Sequence, residues 1–226
     1  MIHSLGRRLS LFFDRPGAGD TDGDPAGGHP GAAVLHPLVD FVAYGEDCTL
    51  SGRIRLRSER LTDMLNDHEE FELVDVMVQS LVEPGVVEVK EVIVPRDELL
   101  LVHATGPRGD LTRRTRTRQT YVAVAIGPYT VRGNLHTVPF LDVMAALHRR
   151  SAMVPLTDAV LDFRMGGDWH RQRLGTLIVN RAGIDHIIEA VEHDSADHGD
   201  APSGETGPAA RDFAAAILTG STRSSS

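Results

Sequence analysis

The stretch "GPRGDLTRRTRTRQ" holds Arg108, Arg113, Arg114, Arg116 and Arg118, a density of guanidinium groups that could act on phosphate. Each planar guanidinium can donate paired hydrogen bonds to phosphate oxygens, so the run could hold RNA, DNA or a cyclic dinucleotide. Arg114 and Arg118 stand at the R-x-x-x-R spacing of some cyclic-dinucleotide receptors, but no D-x-S-x-x-G companion follows. Two other uses are open. The run could pair with an acidic partner surface, in this chain or in another copy, or it could be a solvated connector.

Carboxylates form the second set. Asp63 and Asp142, and likewise Asp75 and Asp158, recur between two stretches of the chain. Short acidic side chains near helix starts and strand turns cap backbone groups, so a structural use is expected for all four. In "HIIEAVEH" the residues His186, Glu189 and His193 fall at i, i+3 and i+7, which on a helix would share a face and could ligate a divalent metal. The acidic sequence after Glu192 favours a solvated chain end, and a metal-dependent enzyme ranks last among the readings. Other catalytic signatures are missing: there is no G-x-S-x-G, no H-E-x-x-H and no C-x-x-C. Lys90, the sole lysine, lies in "VEVKEV" without the glycines of a phosphate-binding loop. The sole cysteine, Cys48, forms no intramolecular disulfide and is expected to be a small buried hydrophobe near a strand in a reducing cytosol.

The elements that must position these residues are written twice. "VIVPRDELLLV" at 92–102 returns as "LIVNRAGIDHI" at 177–187, with Ile93, Val94 and Arg96 recurring as Ile178, Val179 and Arg181. Ahead of each echo the same order is predicted. Strands "VDFVAYG" and "CTLSGRIRL" answer to "TYVAVAIG" and "YTVRGNLHTV", and the second of each pair alternates apolar with polar residues, as a half-buried strand does. Gly52 and Gly133 sit mid-strand at matching places, where the sheet must bend sharply or another backbone must approach. Short helices are expected in "RLTDMLND" at 60–67 and "FLDVMAALHRR" at 140–150. Then come "FELVDVMVQSL" and "MVPLTDAVLDF", aligning Leu73 with Leu156, and hairpins turning at Glu83-Pro84-Gly85 and Gly166-Gly167-Asp168.

"SGRIRL", the Asp63-to-Asn66 stretch "DMLN", "ELVDV" and the closing "VNRAGIDHI" together resemble the element order of Sm-like proteins. Those are strongly bent five-stranded barrels ending in a strand, an arginine-glycine turn and a strand. The chain is also similar to a small bacterial domain of unknown function with an "RLSDxLN" segment followed by "FLxLxDA". The first stretch matches at Arg60, Leu61, Asp63, Leu65 and Asn66, the second at Val154, Leu156, Asp158 and Ala159. The likeness covers about residues 37–105 and 118–190 and implies a fold, with no activity attached. Gly52 lies 14 residues before Asn66, so a helical insert is implied.

The fold class expected is therefore mainly β (α+β): two tandem five-stranded small β-barrel modules with short helical inserts, at 37–105 and 118–191, joined by an Arg-rich connector at 106–117. Gly-, Pro- and Asp-rich sequence at 14–36 and 192–210 reads as disordered linkers, leading to short apolar segments at 1–13 and 211–226. The run "LSLFF" is too short for a secretory signal, and no apolar stretch is long enough for a membrane span. Residues 39–105 carry 6 basic and 15 acidic groups, net −9, whereas 106–187 carry 12 arginines and 6 aspartates, net +6. Opposite charge on two halves suits pairing within or between chains. The function expected is a cytoplasmic, non-catalytic interaction or scaffold protein without cofactor, bound to a protein partner or to itself. The alternative is a nucleic-acid or nucleotide-binding regulator working through the arginines.

Overall fold

The computed structural model describes residues 36–107, 117–140 and 142–191. The terminal segments 1–13 and 211–226, the linkers 14–36 (apart from His36) and 192–210, and Arg108, Arg113, Arg114 and Arg116 lie outside the described residues.

Ten antiparallel strands and two short helices follow one another in two runs of the same order. The first run is β1 (Leu38–Tyr44), β2 (Cys48–Arg55), α1 (Leu61–Asp67), β3 (Glu70–Ser80), β4 (Val86–Pro95) and β5 (Leu101–His103). The second is β6 (Arg118–Ile126), β7 (Tyr129–Thr137), α2 (Val143–His148), β8 (Met153–Met165), β9 (Asp168–Asn180) and β10 (His186–Glu189). A single 3-10 turn precedes the last strand of each run, at Arg96–Glu98 and Arg181–Gly183. Period-two patterning explains the strands: β7 alternates buried and half-buried positions along its whole length. The β8–β9 hairpin turns on Gly166 and Gly167, whose φ values of 61° and 94° belong to the left-handed region that glycine adopts without strain.

All ten strands join one open sheet in the order β10-β6-β7-β8-β9-β5-β1-β2-β3-β4. The sheet is mainly β as expected, but it does not close into two separate barrels. Within each half the ladder runs in the order 5-1-2-3-4. The outer side of β5 pairs with β9 of the other half, Val102 opposite Ile178, and so β4 is left at one edge of the sheet and β10 at the other.

The ladders of the two halves agree in register. Val42–His103, Ala43–Val102 and Tyr44–Leu101 on β1–β5 answer to Ala123–Ile188, Val124–Ile187 and Ala125–His186 on β6–β10. Leu73 faces Val92 as Leu156 faces Leu177. Two apolar clusters fill the fold, and each half contributes to the other. Met153 and Ile178 enter the cluster of Phe41, Leu65 and Leu73, while Tyr44, Leu81 and Leu101 enter that of Val131, Leu135 and Phe163.

Candidate functional site

The recurring glycines and aspartates prove to be one device. β2 and β3 slip register between Ser51 and Arg53, β7 and β8 between Arg132 and Asn134, and Gly52 and Gly133 sit in those bulges. A Cβ on Gly52 would stand 3.0 Å from the Val74 carbonyl oxygen, and one on Gly133 3.0 Å from that of Thr157, so a side chain at either place would press on the facing backbone. Opposite them Asp75 and Asp158 each adopt φ 51°, a left-handed conformation that short polar side chains tolerate. Their carboxylates do not cap backbone groups as the sequence suggested. Asp75 pairs with Arg53 and Asp158 accepts from Asn134 Nδ2 at 3.4 Å, both exposed, since the bulge turns these side chains to solvent.

Asp63 and Asp142 do not hold matching places. Asp142 is the N-cap of α2, accepting from the Ala145 amide at 2.9 Å, whereas Asp63 lies inside the first turn of α1 and faces Arg60 at 3.8 Å. Capping thus holds for one of the four aspartates. Arg96 and Arg181 do match. Arg96 Nη1 donates to the carbonyls of Asn66 and His68, and Arg181 Nη1 to those of Leu147 and His148, so each satisfies helix-end acceptors that α1 and α2 leave open.

Asn66 does more than its motif implied, for it ties the halves together. Its Nδ2 donates to the Met153 carbonyl at 3.0 Å, and its Oδ1 accepts from the Met153 amide at 2.9 Å. Asn180 reciprocates by donating to the Arg96 carbonyl at 3.2 Å. Beside β5–β9 lies an aromatic cluster the sequence reading missed. The Tyr44 ring meets those of Tyr129 and Phe163 at 5.6 and 5.9 Å between centroids, edge to face, and Tyr129 Oη donates to the Gly45 carbonyl at 2.7 Å. Burial pushes the pKa of both tyrosines up, and that of His103 on β5 down. In a chain that is only 5% aromatic, Tyr129 as the first residue of the second alternating strand was the available signal.

The ion pairs seen among the described residues do not join the halves, and Arg108, Arg113, Arg114 and Arg116 of the basic side lie outside those residues. These ion pairs stay within one half, among them Arg57–Glu72 and the two guanidinium groups, of Arg132 and Arg171, that hold buried Asp162 at 2.6 Å each. Apolar and hydrogen-bonded contacts make the junction instead. Of the arginine run only Arg118 is described; it is exposed at the start of β6. His186 and Glu189 lie on strand β10, so they do not share a helical face, and His193 falls outside the described residues. No group of His, Cys, Asp or Glu among the described residues is placed to hold a metal. Cys48 is buried, and burial beside Asp47 and Glu98 raises its pKa to about 12, as befits a packing residue. Among the described residues no helix is long and apolar enough to cross a membrane.

Among the described residues the two edges of the sheet lack a strand partner. β4 is ten residues long, pairs with β3 on one side only, and exposes Val86, Val87 and Ile93. Ile93 is 45% exposed, whereas Ile178, the matching residue of β9 beneath β5, is fully covered. A groove of about 280 Å³ runs beside it, lined by Leu38, Ile54, Met64, Phe71 and Ile93 and rimmed by charged side chains of both signs, Arg55 and Arg57 with Glu70, Glu72 and Glu91. At the opposite edge Ile187 and Ile188 of β10 are half-buried. Comparison with known proteins finds no matching family, no matching curated protein and no matching solved structure.

Proposed function

We propose that the protein is a non-catalytic interaction or scaffold protein that works by strand addition at the open end of its sheet. The reading includes its origin: a small β module, barrel-like and similar to Sm-like domains, duplicated within one chain. Matching ladder registers, matching bulges and the paired roles of Arg96 and Arg181 support that origin. The single observation carrying the function is the β4 edge. Edge strands of soluble proteins are kept short, charged or covered, because unpaired amides and carbonyls recruit other strands. β4 does carry Glu88, Lys90 and Glu91, but it is long, and its apolar Val86, Val87 and Ile93 stand clear beside a groove. Main-chain pairing there would supply affinity, and the groove would read side chains. A lone buried thiol suits a cytosolic setting.

A second reading has its own observation. The tip of the β8–β9 hairpin presents Arg164 stacked 5.2 Å over the exposed Trp169 ring, with Arg171 and Arg173 exposed on the same strand as Trp169. Arginines with a stacking aromatic suit single-stranded nucleic acid. One experiment separates the two. Full-length protein is titrated with short strand-forming peptides of alternating apolar and polar residues, and separately with mixed-sequence RNA and a cyclic dinucleotide at two salt concentrations. The interaction reading expects peptide binding that Ile93→Glu abolishes, and no phosphate ligand bound. Binding of RNA that weakens steeply with salt, with no peptide bound, would hand the function to the arginines.

A further inference from the structure

We infer that the partner of the β4 edge is the β10 edge of a second copy of this chain, joined head to tail. The inference rests on the strand-addition reading above and supplies its occupant. The fold already contains one such junction: β5, the last strand of the first half, lies on β9, with Leu101 opposite Val179, Val102 opposite Ile178 and His103 opposite Leu177. β10 corresponds to β5 through the shared β1–β5 and β6–β10 registers, and β4 corresponds to β9 through the echo of Ile93-Val94 in Ile178-Val179. The two edges left unpaired among the described residues are therefore the two halves of the same junction. Repeating it between chains sets His186 opposite Val94, Ile187 opposite Ile93 and Ile188 opposite Val92.

Exposure fits this register. In the internal junction Val102 and Ile178 are both fully buried; at the free edges their counterparts Ile187 and Ile93 are partly exposed. Ile184 and Ile187 pack on the second half's core from an uncovered side, as Val102 would if β9 were removed. Backbone direction agrees as well. Ala104 donates to Thr176 across the internal junction and Ala190 donates to Tyr121 within the second half. By alternation along a strand, the amides of Ile187 and Glu189 face away from β6 and are free to pair.

Charge supplies the complementarity that the internal junction does not use. There, the end of α1 meets the start of β8 through Asn66 and Met153. Between chains the corresponding contact brings the end of α2, with His148, Arg149 and Arg150, to the start of β3, with exposed Glu69, Glu70 and Glu72. No acidic partner holds Arg149 or Arg150 among the described residues, and the basic half of one copy meets the acidic half of the next. One difference weakens the join. Pro95 stands where Asn180 stands, so the bonds that Asn180 makes to Leu100 and Arg96 have no equivalent, and association should be reversible. Such a contact is heterologous, growing into a ring or a filament according to its rotation.

The test mixes two blocked chains. Ile93→Glu spoils the β4 edge, and the pair Glu189→Pro with Arg149→Glu spoils the β10 end; all three side chains are exposed, and a thermal unfolding profile like that of the unaltered protein verifies each fold. By sedimentation velocity the unaltered chain should grow beyond its 24.5 kDa monomer with concentration, and less so in high salt. Each blocked chain should be monomeric alone, and their equimolar mixture should form a two-chain complex, because one intact β10 then meets one intact β4. Three results would overturn the proposal. A β10-blocked chain that still self-associates would mean that β4 pairs with itself. An unaltered chain that stays monomeric with protected β4 amides would mean that a segment of the same chain covers the edge. One that stays monomeric while strand peptides bind β4 would keep the strand-addition reading and assign the edge to a different protein.

Discussion

Ile178→Ala is expected to destabilise the whole described fold by about 2–5 kcal/mol, the range for deleting a fully buried branched side chain from a core that cannot collapse around the gap. Ile178 is fully buried and belongs to the apolar cluster of the other half, together with Val102 and Phe41, so the loss should be felt by both halves. Ile93 holds the matching place on β4 and is 45% exposed. Ile93→Ala should accordingly cost about 1 kcal/mol or less in dilute protein, as surface substitutions do. Urea unfolding of the two variants measures the contrast. Equal losses would mean that the two isoleucines do not occupy corresponding places with only one of them covered.

Asn66→Ala should cost about 2 kcal/mol, because the amide and carbonyl of Met153, a residue that is 1% exposed, would both lose their partner and find no water to replace it. The Met153 amide should exchange with solvent faster in the variant, and the coupling of the two halves should weaken. Asn66→Asp keeps the acceptor for the Met153 amide but not the donor, so an intermediate loss is expected. Unchanged stability in both would show that the junction rests on β5–β9 and the aromatic cluster alone.

The strands were legible because period-two alternation in "CTLSGRIRL" and "YTVRGNLHTV" reports burial directly, and the mid-strand glycines were legible because nothing but bending or close approach accounts for them. Both helices fell where the sequence placed them. Closure was not legible. Whether a three-residue strand such as β5 pairs within its own half or across to β9 is decided by contacts far apart in sequence, and local patterning is the same either way. For the same reason Asn66 looked like a structural motif residue, and its bond to a partner 87 residues away could not be foreseen. The opposite nets of the two halves left pairing within a chain and between chains equally open, and the junction seen within the described residues is apolar and hydrogen-bonded. The helical spacing in "HIIEAVEH" competed with the strand that Ile184 and Ile187 continue, and four residues paired to β6 hold His186–Glu189 as strand.

Residue-resolved amide hydrogen exchange along β4 of the full-length protein tests most directly whether function lies at the sheet edge. The account expects alternate amides between Val86 and Val94, those facing away from β3, to exchange fast in dilute protein and to slow sharply as protein or strand-peptide concentration rises. The amides of β9 that face β5 should stay protected throughout. Fast exchange on β4 that no protein or peptide concentration slows, with protection appearing only when RNA is added, would contradict it.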